Sequence, residues 1–274
     1  MTSKTTKPTP PDALPPQQPS MPKINKVTAE DITASLKAGF SDFWARPIMS
    51  GFFGLFYAVF GILMVWCLVW LGYIWMLIPA LVAFPLVAPF ACAGLYEMSR
   101  RLENNEPFGW GDILTVMADQ RKREMGWMAF VTLFVLWVWF YQFRTVLVIV
   151  LQDASFSDLD GFIQAVLYTP EGWTFLAIGT GVGAFLAAAL FTVTVVAMPL
   201  LLDRDIDFVT AMITSVRVVR ENPVVMLTWA GIITVTMVVS LVPAFLGLIF
   251  TLPILGHTTW HLYQRAVVLD QAAR

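Results

Sequence analysis

Charge is what this sequence has least of. Asp, Glu, Lys and Arg make up 13% of the 274 residues, while 58% are hydrophobic and the mean hydropathy is +0.71. Soluble domains carry about 25% charged residues. So little charge excludes a water-soluble monomer, and so much apolar content excludes a chain disordered along its whole length. Cysteine is scarce too: Cys67 and Cys92 both fall in apolar runs, which excludes a disulfide framework and leaves two small buried hydrophobes. Histidine is limited to His257 and His261, too few to ligate the haems and copper of a haem–copper oxidase catalytic subunit. The net charge of -2 lacks the basic footprint of a nucleic-acid-binding protein. There is no GxSxG, no HExxH and no P-loop.

What is present is long apolar runs. A membrane-crossing helix takes about 20 mostly apolar residues, and the sequence predicts an all-α polytopic bundle of about six such spans, near 48–71, 73–96, 127–151, 173–202, 224–242 and 243–261. The junction Leu241-Val-Pro-Ala has to turn without polar residues, and a single bent helix there would leave five spans. Residues 1–26 are a different polymer, rich in Pro, Thr, Ser and Gln, without the apolar segment of a signal peptide. They read as a disordered cytoplasmic tail, with a Pro-rich docking segment as the alternative. Residues 27–266 form the membrane domain and 267–274 a short cytoplasmic end.

Loops facing the cytoplasm collect Lys and Arg. With six spans, every Lys and Arg except Arg144 lies on one side, whereas the opposite loop 152–172 has none and carries Asp153, Asp158, Asp160 and Glu171. This places both termini in the cytoplasm. Segments 30–46, 112–124, 158–169 and 207–221 are amphipathic, which suits helices lying in the interface or packed on protein. Asp31 to Pro47 has the same length as Asp207 to Pro223, and both end in a Pro that opens an apolar span. The pattern predicts internal repeats near 30–101 and 205–265, with 110–202 as a third, more distant unit. Asn222 and Thr169 read as helix N-caps. Trp66, Trp70, Trp75, Trp127, Trp137, Trp139 and Trp173 read as interface anchors.

Few residues can carry chemistry. Arg144 is the one basic residue inside a span, and with Gln142 it forms a candidate intramembrane polar site; the competing reading is an arginine snorkelling towards the acidic loop. His257 and His261 share a helical face and are weak metal candidates, with Glu97 as a third ligand if the repeats pack closely. The alternative is two interfacial histidines bonded to neighbours such as Thr258 or Tyr263. Gly109-Trp110-Gly111-Asp112 matches a GxGD protease signature, but no span supplies the second aspartate that chemistry needs, so it reads as a turn and a helix cap. Gly179, Gly181, Gly183, Ala187 and Ala188 give the fourth span a small-residue face suited to helix packing, and Pro79, Pro85 and Pro89 should kink the second.

Three stretches together resemble a known group: Gly94 to Glu103 (GLYEMSRRLE), Leu202 to Val216 (LDRDIDFVTAMITSV) and Leu255 to Tyr263 (LGHTTWHLY). They are similar to the bacterial integral-membrane proteins of domain-of-unknown-function family 2189, over about residues 25–266. The resemblance implies a multi-span inner-membrane protein and brings no activity or catalytic residue. With no catalytic residues and no cofactor expected, the residues favour a non-enzymatic accessory or scaffold protein. Its partners would be the bilayer and other membrane proteins. The alternatives are a small-solute or ion transporter and a haem- or metal-binding protein.

Overall fold

The computed structural model describes residues 21–121, 124–151 and 159–268. Residues 1–20 of the expected tail, and Asp153 and Asp158 of the acidic loop, lie outside the described residues. The chain is an all-α membrane bundle of roughly six spans. Its helices are α1 (Ala29–Ala45), α2 (Pro47–Trp70), α3 (Leu77–Ala83), α4 (Ala88–Ala91), α5 (Ala93–Glu103), α6 (Trp110–Arg121) and α7 (Glu124–Leu151). Then follow α8 (Leu159–Tyr168), α9 (Pro170–Thr194), α10 (Ala197–Asp203), α11 (Phe208–Glu221), α12 (Pro223–Leu241) and α13 (Leu248–Ala266). Among the described residues, five helical stretches are long and apolar enough to cross a membrane: Pro47–Trp70, Ile74–Glu103, Glu124–Leu151, Pro170–Asp203 and Pro223–Leu241. The helix α13 is the more polar sixth.

Proline sets where these helices start and break. The helices α2, α9 and α12 each open on a proline, whose missing N–H costs nothing in a first turn. Within the second span, Pro79, Pro85 and Pro89 divide the chain into α3, a 3-10 turn at Phe84–Val87, α4 and α5. The turn diverts the Ala88 amide to Pro85, and the freed Phe84 carbonyl accepts the Tyr57 hydroxyl instead. The fourth span breaks just before Pro199. There Ser215 of α11 repairs the backbone, accepting from the Val196 amide at 3.2 Å and donating to the Thr192 carbonyl at 2.7 Å.

The apolar junction after α12 is a true turn, so α12 and α13 are two helices. Ala244 and Phe245 both take positive φ, of 50° and 68°. Non-glycine residues rarely do so, at roughly 1–2 kcal/mol each. Phe245 offsets the strain by inserting its ring against Phe84, with centroids 5.4 Å apart, over the bare Cα of Gly61. The chain then enters α13, whose side chains are mostly buried among α1, α2, α5 and α12. Here lies the main core, with α10 and α11 closing its far side; a second apolar centre forms between α7, α8 and α9 around Trp139, Phe143, Phe162 and Phe175.

The helix α1 does not lie free. Its face of Ile32, Ser35, Gly39 and Phe43 is buried, chiefly along α13, and Phe40 and Trp44 point outward. Thr28 and Asp31 form a capping box at its start, and the backbone amide of Thr28 foremost holds the Asp31 carboxyl below its usual range. The helix α11 is built alike, with Asp207 as N-cap. The residues joining each helix to its proline have similar backbone angles: Arg46 at φ -142°, ψ 62° and Asn222 at φ -130°, ψ 51°.

Three expectations change. Asn222 makes no side-chain cap to α12. Its amide instead accepts from the Val27 amide at 2.9 Å and donates to the carbonyls of Asn25 and Val218. It thereby holds the residues before α1, and Lys23–Ile24 pairs antiparallel with Val267–Val268, so ordered structure begins before residue 27. This pairing sets the two described ends of the chain side by side. Trp139 is no interface anchor: it is buried, gives its indole N–H to the Pro79 carbonyl and seats its ring on Gly183. Thr169, in contrast, caps α9 as expected, accepting from the Gly172 amide.

Candidate functional site

Polar side chains inside a bundle have to find partners, because an orphaned buried donor or acceptor costs about 1–3 kcal/mol. The histidines of α13 show how this chain does it. His257 is fully buried, and its Nδ1 lies 2.7 Å from Ser99 Oγ of α5 and its Nε2 lies 3.1 Å from Ser50 Oγ of α2. Ser99 donates to Asp42 Oδ2 of α1 at 2.7 Å, and the same oxygen lies 2.8 Å from His261 Nε2. A carboxylate only accepts. Ser99 therefore gives its proton to Asp42 and accepts from His257 Nδ1–H, which leaves His257 Nε2 to accept from Ser50. The donors of the line Ser50–His257–Ser99–Asp42–His261 thus converge on the Asp42 carboxylate from both sides, and the line ties four helices together.

This is where the expected metal candidates end up. His257 and His261 are both engaged in that line, and Glu97 points elsewhere. Glu97 is 2% exposed and takes Arg100 in a two-bond fork, at 2.7 and 2.8 Å, plus Arg101 Nε at 2.5 Å. The structure does not bring the three together, and no three His, Cys, Asp or Glu among the described residues are grouped to hold a metal. Thr258 and Tyr263 are not the histidines' partners either: Thr258 bonds to the Ile254 carbonyl and Tyr263 to Asp203. Ser50–His257 has the spacing of a nucleophile and base, yet Ser50 is completely buried and lines neither of the two hollows described below.

Gln142 and Arg144 part ways as well. Arg144 is exposed and sits over the Trp75 ring, 5.5 Å from its centroid. Gln142 turns inward, and neither of its amide atoms finds a partner among the described residues. Asp112 accepts from the Gly109 amide at 2.8 Å in the first turn of α6, which is the turn-and-cap reading of that motif.

A cleft of about 890 Å³ opens between α9 and α12, and the sequence did not foreshadow it. Its lips are exposed: Ala184 and Ala188 on α9, Gly231, Thr234 and Val238 on α12. Its floor is buried: Cys92 and Tyr96 from the end of the second span, Leu252, Leu255, Gly256 and Thr259 from α13. Phe245 and the prolines Pro85 and Pro89 close one end. Among the described residues, no charged side chain lines it. The small face of the fourth span is therefore only partly a packing face. Gly183 receives Trp139, while a Cβ on Gly179 or Gly181 would meet nothing within 4 Å and the alanines border the cleft. A second, polar hollow of about 500 Å³ is lined by Arg100, Asn104, Glu106, Asp203, Arg204, Asp205 and Gln264.

Asp42, Ser50, Ser99 and Tyr96 are the residues that sequence reasoning missed. Ser50 and Ser99 left one signal, as single hydroxyls on otherwise tightly packed helix faces. Residues 76–203 match the family described as predicted integral membrane protein (DUF2189). The match includes the stretch Gly94 to Glu103 and is shorter than the 25–266 over which the three motifs extend. No curated protein and no solved structure matches the chain.

Proposed function

We propose that this integral membrane protein is a non-enzymatic accessory protein of the bacterial inner membrane that holds an apolar, chain-bearing ligand in the cleft between α9 and α12. The cleft carries the reading. It has the size of a small-molecule site, commonly about 300–1,000 Å³. It opens sideways on the apolar faces of two candidate spans, where hydrocarbon rather than water is the solvent. The enclosed position of Ser50 supports a structural role for the serine–histidine line, which favours binding over catalysis. The one-sided Lys and Arg support an orientation with that end of the bundle in the cytoplasm. The matched linkers at Arg46 and Asn222 support a repeat relating α1–α2 to α11–α12.

Purification in mild detergent, extensive washing and mass spectrometry of the organic extract test this. The expected result is one chain-bearing species retained at close to one per protein. A mixture of bulk lipids in membrane proportions, washed away with detergent exchange, would contradict it.

A further inference from the structure

The cleft floor holds one hydroxyl with no hydrogen-bond partner among the described residues. Tyr96 is 3% exposed and lines the cleft, yet its hydroxyl makes no hydrogen bond among the described residues. A buried phenol usually finds an acceptor. The other hydroxyls of the cleft are already committed as donors. Thr194 gives its proton to the Leu190 carbonyl at 2.7 Å, Thr234 to Ala230 at 2.8 Å and Thr259 to Leu255 at 2.8 Å. The cleft therefore offers one free O–H, several oxygens able to accept, and no charge.

Each of these facts restricts the occupant. A phosphate headgroup cannot sit at Tyr96, since nothing cationic lines the cleft and an unpaired buried ion is prohibitively costly. A lipid alcohol can accept from Tyr96 as well, but it brings a donor of its own that has to reach one of the threonine oxygens at the same time. An uncharged ligand whose polar end only accepts uses the one free donor and demands nothing else. Resting on the cleft reading above, we infer that the occupant is a prenylated quinone, with one ring carbonyl accepting from the Tyr96 hydroxyl and its hydrocarbon chain leaving between α9 and α12.

The test uses the full-length protein in detergent, equilibrated separately with decylubiquinone and with farnesol, and measures each bound ligand after rapid desalting. Tyr96→Phe removes one oxygen that has no partner, so the bundle persists. It is expected to weaken decylubiquinone binding about tenfold, the worth of one buried hydrogen bond, and farnesol binding less, because the alcohol keeps its own O–H on a threonine oxygen. Gly231→Trp places a large ring at the lip, where an added Cβ meets nothing within 4 Å, and is expected to reduce binding of both ligands. If Tyr96→Phe binds decylubiquinone as well as the parent while Gly231→Trp blocks it, the quinone assignment falls and the cleft reading stands. If Gly231→Trp binds both ligands like the parent, the cleft reading itself falls. A parent protein that prefers farnesol also overturns the quinone assignment.

Discussion

Asp42→Ala is expected to lower the unfolding free energy of the purified protein by about 3 kcal/mol. The carboxylate receives Ser99 at 2.7 Å and His261 at 2.8 Å, and through Ser99 it fixes the proton on His257. Alanine would orphan a serine hydroxyl and a histidine N–H at once, at about 1–3 kcal/mol for each fully buried group. The side chains of Asp42 and His261 are 14% exposed, so water recovers part of that loss and the sum of about 2–6 kcal/mol falls to its lower half. Asp42→Asn keeps an acceptor oxygen and should lose about half as much. Unfolding by sodium dodecyl sulfate in mixed micelles measures both variants. An Asp42→Ala protein as stable as the parent would contradict the assignment, and so would an Asn variant weaker than the Ala variant.

Gly54→Leu is expected to cost as much by a different route. Inside a bilayer, helices gain little from the hydrophobic effect and associate through close packing. At Gly54 the backbones of α2 and α13 nearly touch: a Cβ would sit 2.6 Å from the carbonyl oxygens of both Leu248 and Ile249. Backbone cannot swing aside as a side chain can. A leucine therefore has to lift α2 off α13, and overpacking of this kind costs about 1–3 kcal/mol. Its effect should lie at the top of that range, because α13 is the helix on which α1 and α5 also rest. Gly51→Leu, one turn earlier, is the control. Its Cβ meets nothing within 4 Å, so loss of a flexible helical glycine should leave stability unchanged or slightly raised. Thermal aggregation in detergent distinguishes the two, and equal effects at Gly51 and Gly54 would rule out the close crossing.

Periodicity and proline carried the sequence a long way towards this fold. The run from Ile48 to Leu71 is almost the whole of α2, and Pro47, Pro170 and Pro223 mark helix starts to the residue. Such features are local, so the chain displays them directly. Where the reading failed, the deciding partner was distant in sequence. Nothing around Asn222 reveals that its amide will serve Val27 and Asn25 rather than its own helix. Trp139 has the composition of an anchor and the position of a core residue, because Gly183 on another helix makes room for it. The last span is placed about five residues too early, since the turn strain at Ala244 and Phe245 is tolerated only through contacts with Phe84 and Gly61.

The site was legible only in part. The pairing of His257 and His261 on one helical face stood out, but the carboxylate beside them comes from Asp42, 219 positions away. Ser50 and Ser99 join it from two further helices. The cleft was invisible because it is a gap between α9 and α12. Small residues on a membrane helix signify close packing and an open wall equally well, and only the placement of the neighbouring helix separates the two.

The most direct test of the central claim is a structure of the protein in lipid nanodiscs, made from cells without added ligand. The account predicts one elongated density between α9 and α12 that ends within hydrogen-bond distance of the Tyr96 hydroxyl. A cleft closed by direct contact of α9 with α12, or one filled only by disordered annular lipid with Tyr96 bonded elsewhere in the protein, would contradict it.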